Sequence, residues 1–595
     1  ATATGSCVPE ASTPVVKLDP EYQAVHNQAL VGSSTARAPL PLAAPHDRPA
    51  RIHDLTIHPG GTMHRPIRHR ALTATAALLA AATGLALLAP AAGAAAKPKR
   101  GSIVYAIPGK TTSFCIPRAQ LSASGIMVTQ SLYDTLTVPN DKGQYVPYLA
   151  KSVTPNATFD EWTIGLRDGV TFADGTPVDA AAVKQNIDAW RKGLLLQFLY
   201  APVADVTTPD DSTVVVKIKQ PWPAFPAYLF SAGRTGIAAP AQLNDAATCA
   251  TKMIGSGPFK LETYDPSTGD VSVVRNPNYW RKGYPLLDRI SFKVQGNTTQ
   301  RINGLEGGQF DITFFGGGKN AKTARSVAGV TVLKNKPGFR DINNVLFNTQ
   351  RPPFDDPNAR KALAMGLDLQ ALNVLANQGE GEIAQQVVDS KVLGYSKRSG
   401  FPKANVAKAK KMVAAYKAAH GGQFAFDLQT TFDPGVQDVG AEVKRQARKL
   451  GITVNLPAPV DEAQIINLAL AGKTDAFLWR NYPGSDPDTL YVWFHSGSPV
   501  NFGKLNDPVI DQALEQGRVE GDPAKRKAIY TALFRHMSSE VSALWFGYND
   551  TYVAASTKVK GVIGPNLPGP NGRPGSQKPV QINAGYHQLL GMSKG

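Results

Sequence analysis

The chain has 595 residues, 43% of them hydrophobic and 18% charged, which accommodates two or three globular domains with large cores. Its three cysteines exclude a disulfide-rich scaffold and a cysteine-rich zinc module. The formal net charge of +17 is dispersed and forms no Lys/Arg run interleaved with aromatic residues, so nucleic-acid binding is not favoured.

A secretory signal peptide is predicted over residues 63–96. Met63, the first methionine, precedes a basic stretch, an apolar run over residues 71–89 and an alanine-rich end. These are the three regions of an exported leader with an Ala-x-Ala cleavage motif. A membrane anchor is the alternative, because the apolar run is almost long enough to span a bilayer. No cysteine follows the run, so we expect an extracytoplasmic protein exported by the general secretory route, without a lipid-modified cysteine.

Residues 1–62 show no hydrophobic periodicity and precede Met63. We interpret them as a mis-set start site or a disordered leader, and base no fold argument on them.

The first elements after the leader are a strand over residues 102–107 and a helix over residues 124–136. Residues 162–183 (WTIGLRDGVTFADGTPVDAAAV) come next. Their alternation of apolar and polar residues predicts a strand, a turn, a second strand and a second turn. A helix is predicted to follow, with Thr176 as its N-cap and Pro177 at its first position.

Helices and strands alternate in the second half of the chain. The pattern predicts a helix over residues 405–419, a strand from Phe424, a helix from Val436 to Gly451, a strand from Ile452 and, after another helix, a strand over residues 475–479. An earlier helix is predicted to begin at Asp356 as N-cap, with Pro357 following. Such alternation implies right-handed crossovers and a sheet with parallel strands.

Five phrases of this sequence, in order, resemble the family 5 extracellular solute-binding proteins of peptide-type ABC importers. They are residues 162–183, GSGPF at 255–259, RNPNYW at 275–280, GGQFD at 307–311 and PPFDDPNARKAL at 352–363. The resemblance covers residues 101 to about 559.

The resemblance implies an α/β fold of the type II periplasmic-binding-protein class, with two lobes and an extra subdomain. On this basis we expect a discontinuous first lobe from residues 97–136, 238–339 and 546–595. We expect the extra subdomain at residues 137–237 and the second lobe at residues 340–545.

The resemblance also implies a disulfide between Cys115 and Cys249. Some family members carry a cysteine near the N-terminus and another before the phrase that here reads GSGPF. Two buried thiols are the alternative.

The resemblance places the ligand site after a strand, at residues 479–488 (WRNYPGSDPD). In the family a Trp here lines the pocket, and an Asp of peptide-binding members pairs with the α-amino group of the ligand. This sequence departs from the pattern, because Arg480, Asn481 and Tyr482 stand where that Asp is expected. We expect ligand contact from Trp479 and count Arg480, Asn481 and Tyr482 among the ligand-binding candidates, with Arg480 expected to favour an anionic or hydroxyl-rich ligand.

For Asp486 and Asp488, ligand binding and the capping of a short helix remain alternatives. Phe114, Tyr133 and Trp545 are further candidates for the pocket wall, with a place in the core as the alternative.

No enzyme site and no metal site is predicted. The sequence has neither a G-x-S-x-G nucleophile elbow nor an HExxH motif. Six of the ten histidines lie in residues 1–69, and the other four (His420, His495, His536 and His587) are not at metal-ligand spacing. We expect no cofactor.

The expected function is capture of an oligopeptide or peptide-like solute by closure of two lobes, and its delivery to an ABC permease with its ATPase subunits. We expect a monomer. The alternatives are a binder of an oligosaccharide, an opine or a metal chelate, a secreted sensor and, more distantly, a secreted α/β hydrolase.

Overall fold

The computed structural model describes residues 101–110, 113–116, 122–193, 196–482, 484–582 and 586–595, and only the backbone of residues 462 and 463. The predicted leader and signal peptide lie outside the described residues. No helix of the described part is long and apolar enough to cross a membrane.

The strands, numbered along the chain, are β1 (Ser102–Ile107), β2 (Thr137–Pro139), β3 (Tyr145–Pro147), β4 (Ala150–Pro155), β5 (Glu161–Leu166), β6 (Val203–Asp210), β7 (Thr213–Ile218), β8 (Phe259–Tyr264), β9 (Val271–Arg275), β10 (Arg289–Val294), β11 (Ile312–Gly316), β12 (Val330–Lys334), β13 (Asp341–Phe347), β14 (Ala425–Gln429), β15 (Thr453–Asn455), β16 (Ala476–Asn481), β17 (Leu544–Asn549), β18 (Thr551–Ser556), β19 (Val559–Lys560) and β20 (Ser593–Lys594).

The helices are α1 (Ala123–Leu132), α2 (Ala180–Trp190), α3 (Leu196–Leu199), α4 (Phe225–Tyr228), α5 (Pro240–Leu243), α6 (Thr298–Glu306), α7 (Gly318–Ser326), α8 (Pro357–Gly366), α9 (Leu369–Ala376), α10 (Val406–Ala419), α11 (Pro434–Lys449), α12 (Glu462–Leu470), α13 (Tyr491–Phe494), α14 (Pro508–Val519) and α15 (Pro523–Ser539). Short 3-10 helices lie at Ser231–Gly233 and Pro487–Leu490.

Three sheets organise the described chain. A seven-stranded sheet has the order β12-β18-β11-β1-β10-β9-β8, and its central strand β1 is parallel to both β10 and β11. A four-stranded antiparallel sheet has the order β4-β5-β7-β6. A five-stranded sheet has the order β15-β14-β16-β13-β17, in which β14 is parallel to β15 and to β16.

The chain passes between the seven-stranded and five-stranded sheets twice, and both crossings are short. Residues 335–340 join β12 to β13, and Asp550 alone joins β17 to β18. The Asn335 backbone N–H donates to the Thr551 carbonyl at 3.0 Å, and the Thr551 N–H donates to the Asn335 side chain at 3.2 Å. Asp550 is 1% exposed and pairs with Lys334 at 2.7 Å. The two crossings therefore lie side by side and are bonded to each other.

The cores follow the sheets. One large cluster of buried apolar side chains covers the seven-stranded and four-stranded sheets, and a second covers the five-stranded sheet. The predicted boundary between residues 339 and 340 falls in the first crossing. The predicted boundary between residues 545 and 546 falls inside β17, which pairs with β13 and so belongs to the five-stranded sheet.

The helix predicted to begin at Thr176 begins three residues later, with Asp179 as its N-cap. The Thr176 hydroxyl donates to Asp174 at 2.6 Å, and Thr171 and Pro177 form an antiparallel bridge. That bridge keeps the backbone extended past Pro177, so the helix cannot start there. The predicted cap at Asp356 is confirmed, and the helix predicted over residues 405–419 spans Val406–Ala419, with Asn405 as its N-cap.

The helix predicted over residues 124–136 ends at Leu132, because Tyr133 is extended with φ −131° and ψ 129°. The GSGPF phrase lies against this end. A Cβ at Gly255 would lie 2.0 Å from the Leu132 carbonyl oxygen, and one at Gly257 would lie 2.5 Å from the Leu132 carbonyl carbon. Only glycine permits this approach.

The predicted disulfide between Cys115 and Cys249 is present. It closes a separation of 134 residues, and both cysteines are buried.

Candidate functional site

The predicted site follows β16, the middle strand of the five-stranded sheet. Since β14, β15 and β16 are parallel, their carboxyl ends meet at one edge, where open α/β sheets bind ligands. Trp479 is half-buried, with its ring edge-on to Phe477 and Phe502 at centroid distances of 5.7 and 5.8 Å. Its remaining surface is available to a ligand.

Arg480 is the exposed cation of this edge. Its side chain is 57% exposed, and its nearest carboxylate oxygen, on Asp341, is 3.8 Å from a guanidinium nitrogen. Asn481 is buried and accepts a hydrogen bond from the Asn344 amide at 3.1 Å, while Tyr482 is half-buried. Of the four residues, Arg480 presents the most side chain to solvent.

Asp486 caps the 3-10 helix at Pro487–Leu490, where its carboxylate accepts from the Asp488 N–H at 2.9 Å. Both of its carboxylate oxygens also accept hydrogen bonds from the Arg526 guanidinium, at 2.7 and 2.9 Å. Its capping alternative is therefore confirmed.

Asp488 lies at the centre of a buried group that we call the carboxylate cluster, made of Trp222, Tyr228, Asp488 and Arg518. The Asp488 carboxylate accepts from the Trp222 indole N–H at 2.8 Å, the Tyr228 hydroxyl at 2.7 Å and Arg518 Nε at 2.9 Å. Asp488 itself is 0% exposed. Burial opposes its ionisation, but the Arg518 guanidinium and the neutral donors outweigh burial and hold the pKa of Asp488 below its usual value.

The carboxylate cluster joins two parts of the fold. Asp488 and Arg518 belong to the segments around the five-stranded sheet, whereas Trp222 and Tyr228 follow β7 of the four-stranded sheet. The Arg518 guanidinium also lies 3.6 Å from the centre of the Tyr491 ring. The contact between Trp222 and Asp488 was not predicted. The sequence feature that marks Trp222 is the Pro-Trp-Pro triplet at residues 221–223.

A second contact between the sheets lies beside the crossings. The Gly318 N–H at the start of α7 donates to the Asn377 carbonyl after α9 at 2.6 Å. Glu380 pairs with Arg325 at 3.1 Å and accepts from the Tyr552 hydroxyl at 2.8 Å. The hydrogen bond from Tyr552 and the pairing with Arg325 lower the pKa of Glu380.

The three candidate wall residues lie in the core. Phe114 is 1% exposed and edge-on to Tyr264, and Trp545 is 0% exposed. Tyr133 is 3% exposed, and its hydroxyl donates to Gln242 at 3.0 Å. This burial favours the core alternative, and ligand contact by these rings stays a prediction.

The described residues hold no group of three or more His, Cys, Asp or Glu side chains placed to bind a metal. His495 and His536 each lie beside one carboxylate, Glu515 at 3.0 Å and Asp507 at 2.8 Å. His587 is buried against Tyr105.

Two α/β sheets linked by two short crossings, with a site at the strand ends of one of them, define a bilobal binding protein. The sequence of residues 144–502 matches the model of the bacterial extracellular solute-binding proteins, family 5, and the chain belongs to this family. Family 5 proteins are the substrate-binding components of ABC importers, and their fold is the type II periplasmic-binding-protein fold.

Among curated proteins, the chain is 25% identical over 420 residues to the glutathione-binding protein GsiB of Escherichia coli strain K12, covering 68% of this chain and 81% of GsiB. Among solved structures it is similar to AgaA from A. tumefacien R10 in complex with agropinic acid, with 25% identity, a TM-score of 0.71, and coverage of 82% of this chain and all of AgaA. The fold is also that of the oligopeptide-binding protein AppA of Bacillus subtilis, with 21% identity, a TM-score of 0.71, and coverage of 84% of this chain and all of AppA.

Proposed function

We propose that this protein captures a small peptide or peptide-like solute that carries a carboxylate, and delivers it to an ABC permease. The observation that carries this proposal is the distribution of charge after β16. Arg480 is exposed there, while Asp486 and Asp488 are already engaged by Arg526 and Arg518. A guanidinium binds a carboxylate through two parallel hydrogen bonds, which makes Arg480 the recognition group.

Two relatives support an acidic solute. GsiB is named for glutathione, a tripeptide with two carboxylates, and AgaA was solved with agropinic acid. An opine-like acid is therefore the second candidate for this chain. It is favoured by the same feature, the exposed Arg480 guanidinium, whose contact with Asp341 is long at 3.8 Å. In either case no bond is made or broken.

We propose that residues 97–136, 238–339 and 546–595 form the first lobe, that residues 137–237 form its subdomain, and that residues 340–545 form the second lobe. The sheet memberships support this division except at its last boundary, which moves from 545/546 to Asp550 because β17 pairs with β13 of the five-stranded sheet. We further propose an exported monomer that works outside the cytoplasm.

Mass spectrometry of the protein under native conditions tests the proposal. We expect a co-purified mass equal to that of a small peptide or an amino-acid-derived acid. Binding of glutathione, of short peptides and of the identified solute is then titrated by calorimetry. An uncharged sugar as the only bound mass would contradict the proposal.

Arg480→Gln tests the recognition group. We expect the affinity for the carboxylate-bearing solute to fall about tenfold or more, because a charge-assisted pair is lost. Arg535→Gln, which removes another exposed arginine on α15, is the matched control and leaves the affinity unchanged. Equal affinities for wild type and Arg480→Gln would remove Arg480 from the site.

A further inference from the structure

One stretch of the second lobe is basic without interruption. Residues 390–426 contain eight Lys or Arg residues and no Asp or Glu. These are Lys391, Lys397, Arg398, Lys403, Lys408, Lys410, Lys411 and Lys417. Seven of the eight are exposed and Lys417 is half-buried, so nearly all of this charge faces solvent.

Helix α10 carries the centre of this charge. It buries Ala409, Val413 and Tyr416 on one side and packs on α8, which leaves the rest of its circumference outside. The outer surface consists of lysines separated by exposed small residues, Ala407, Ala414, Ala415 and Ala418. At about 100° per residue, Lys411 faces away from the buried side of α10, while Lys408 and Lys410 lie on opposite flanks and reach a flat surface only by bending outward past the alanines.

The end of α11 extends the same surface. A Cβ at Gly366 of α8 would lie 3.0 Å from Ala409 of α10 and 2.4 Å from Leu450 at the end of α11, so both helices lie against one point of α8. Lys417 also donates to the Gly451 carbonyl at 3.3 Å. The last residues of α11, Arg448 and Lys449, are exposed beside them.

Two carboxylates of the neighbouring elements are engaged in ion pairs, whereas Asp355, Asp356 and Asp438 have no ion-pair partner among the described residues. Glu442 pairs with Arg445 within α11, and Glu540 pairs with Lys361 of α8. Asp356 caps α8, and Asp355 precedes it. Among the described residues, Lys408, Lys410 and Lys411 make no ion pair. The positive charge of α10 is therefore not neutralised within the protein.

We propose that this basic face, defined as α10 with Arg448 and Lys449, binds the anionic headgroups of phospholipids. A solute-binding protein of an importer works beside a membrane, and each basic side chain near an anionic bilayer strengthens its binding roughly fivefold. No exposed aromatic ring interrupts the lysines of α10, whose other exposed residues are mainly alanines. A planar array of phosphates therefore fits it better than a peptide strand or a nucleic-acid base.

Flotation of the protein with protein-free vesicles tests the inference. We expect binding to vesicles that contain phosphatidylglycerol, no binding to pure phosphatidylcholine vesicles, and weakening as salt is raised. Binding only to membranes that contain the permease would overturn the inference in favour of a protein partner. Binding to soluble polyphosphate without binding to vesicles would overturn it too.

A charge-matched pair of variants separates this face from net charge. Lys408→Glu, Lys410→Glu and Lys411→Glu together should reduce partitioning onto phosphatidylglycerol vesicles by at least about tenfold. The control combines Lys252→Glu, Lys282→Glu and Lys322→Glu, three exposed lysines elsewhere, and makes the same change in net charge. Equal losses in the two triple variants would contradict a dedicated face. Unchanged calorimetric binding of the co-purified solute in both variants shows that the fold is intact.

Discussion

At the scale of single residues, neighbouring side chains after β16 serve different purposes. For Asp488 the sequence leaves ligand binding and capping as alternatives, and in the structure its carboxylate accepts hydrogen bonds from Trp222, Tyr228 and Arg518. Arg480, eight residues earlier, is exposed. A buried carboxylate needs its hydrogen bonds filled within the protein, so it is a poor partner for a solute that must come and go.

Trp479→Ala tests the pocket wall. The substitution should weaken solute binding by roughly 1–3 kcal/mol, since the ring loses its apolar contact with the solute. Calorimetry with the co-purified solute measures the effect. Trp493→Ala is the control, because Trp493 also packs edge-on against Phe502, with a centroid distance of 5.6 Å. Equal affinities for Trp479→Ala and wild type, with an intact fold, would remove Trp479 from the site.

His587 predicts a pH dependence of stability. Burial lowers its pKa to about 4, and its ring nitrogens contact the Tyr105 hydroxyl at 2.8 Å and the Val562 carbonyl at 3.1 Å. The unfolded chain takes up a proton near the ordinary histidine pKa of about 6.5, whereas the folded chain does not until about pH 4. Stability should therefore fall as pH falls through this window.

Between pH 7 and pH 5 the loss from His587 should be about 2 kcal/mol in the free energy of unfolding. Urea denaturation of the wild type and of His587→Gln at the two pH values measures it. The variant should lose less stability than the wild type over this interval. The same loss in both proteins would show that His587 is not the responsible group.

At the scale of elements, the carboxylate cluster fastens the subdomain to the second lobe. Trp222→Phe removes one neutral donor but leaves the Arg518–Asp488 pair in place. We expect solute affinity to fall about tenfold, because a hydrogen bond to a charged group is worth about 1.5–3 kcal/mol and forms here only when the lobes touch.

Trp190→Phe is the matched control for Trp222→Phe. Trp190 is equally buried in the same subdomain, and its indole N–H has no hydrogen-bond partner in the structure. Calorimetry should show an unchanged affinity for this variant. If both substitutions weaken binding equally, the effect comes from packing and not from the carboxylate cluster.

The disulfide ties the segment before α1 to the segment before β8. Replacing both Cys115 and Cys249 by Ser should lower the free energy of unfolding by about 4–5 kcal/mol, since the bridge restricts a long loop of the unfolded chain. Urea denaturation of a protein beginning after residue 96 measures this. Two free thiols in that native protein would contradict the bridge.

Elements were predictable where the signals were local. Asp356 caps its helix as expected because an N-cap bond needs only the next few residues. The cap predicted at Thr176 is wrong because a local bridge between Thr171 and Pro177, which the Thr-Pro-x-Asp cap pattern does not reveal, holds the backbone extended. Gly255 and Gly257 were recognised as part of the GSGPF motif. Their close packing against Leu132, which requires glycine, was not predicted.

The candidate site was predictable in position and less so in detail. The end of β16 followed from helix–strand alternation and from the resemblance. The sequence could not show that the Asp488 carboxylate is hydrogen-bonded to Arg518 and Trp222, because these residues are 30 and 266 positions away along the chain.

At the scale of the whole molecule, the two crossings define where the lobes can move. Within the described residues, the chain crosses between the two large sheets only at residues 335–340 and at Asp550. Contacts of Asn377 and Glu380 lie beside these crossings, and the carboxylate cluster joins the two parts of the fold at another point. Arg340 lies in the first crossing, and its guanidinium is held by Asp389 at 2.7 and 2.8 Å. This arrangement suits a hinge with a latch, in which solute and latch together stabilise the closed form.

Solution X-ray scattering of the protein, first stripped of its co-purified solute and then reloaded with it, tests capture by lobe closure most directly. The account predicts a smaller radius of gyration for the loaded protein, with the change in Trp479→Ala requiring a higher solute concentration. An unchanged radius of gyration in a protein that calorimetry shows to be fully loaded would contradict capture by closure of two lobes.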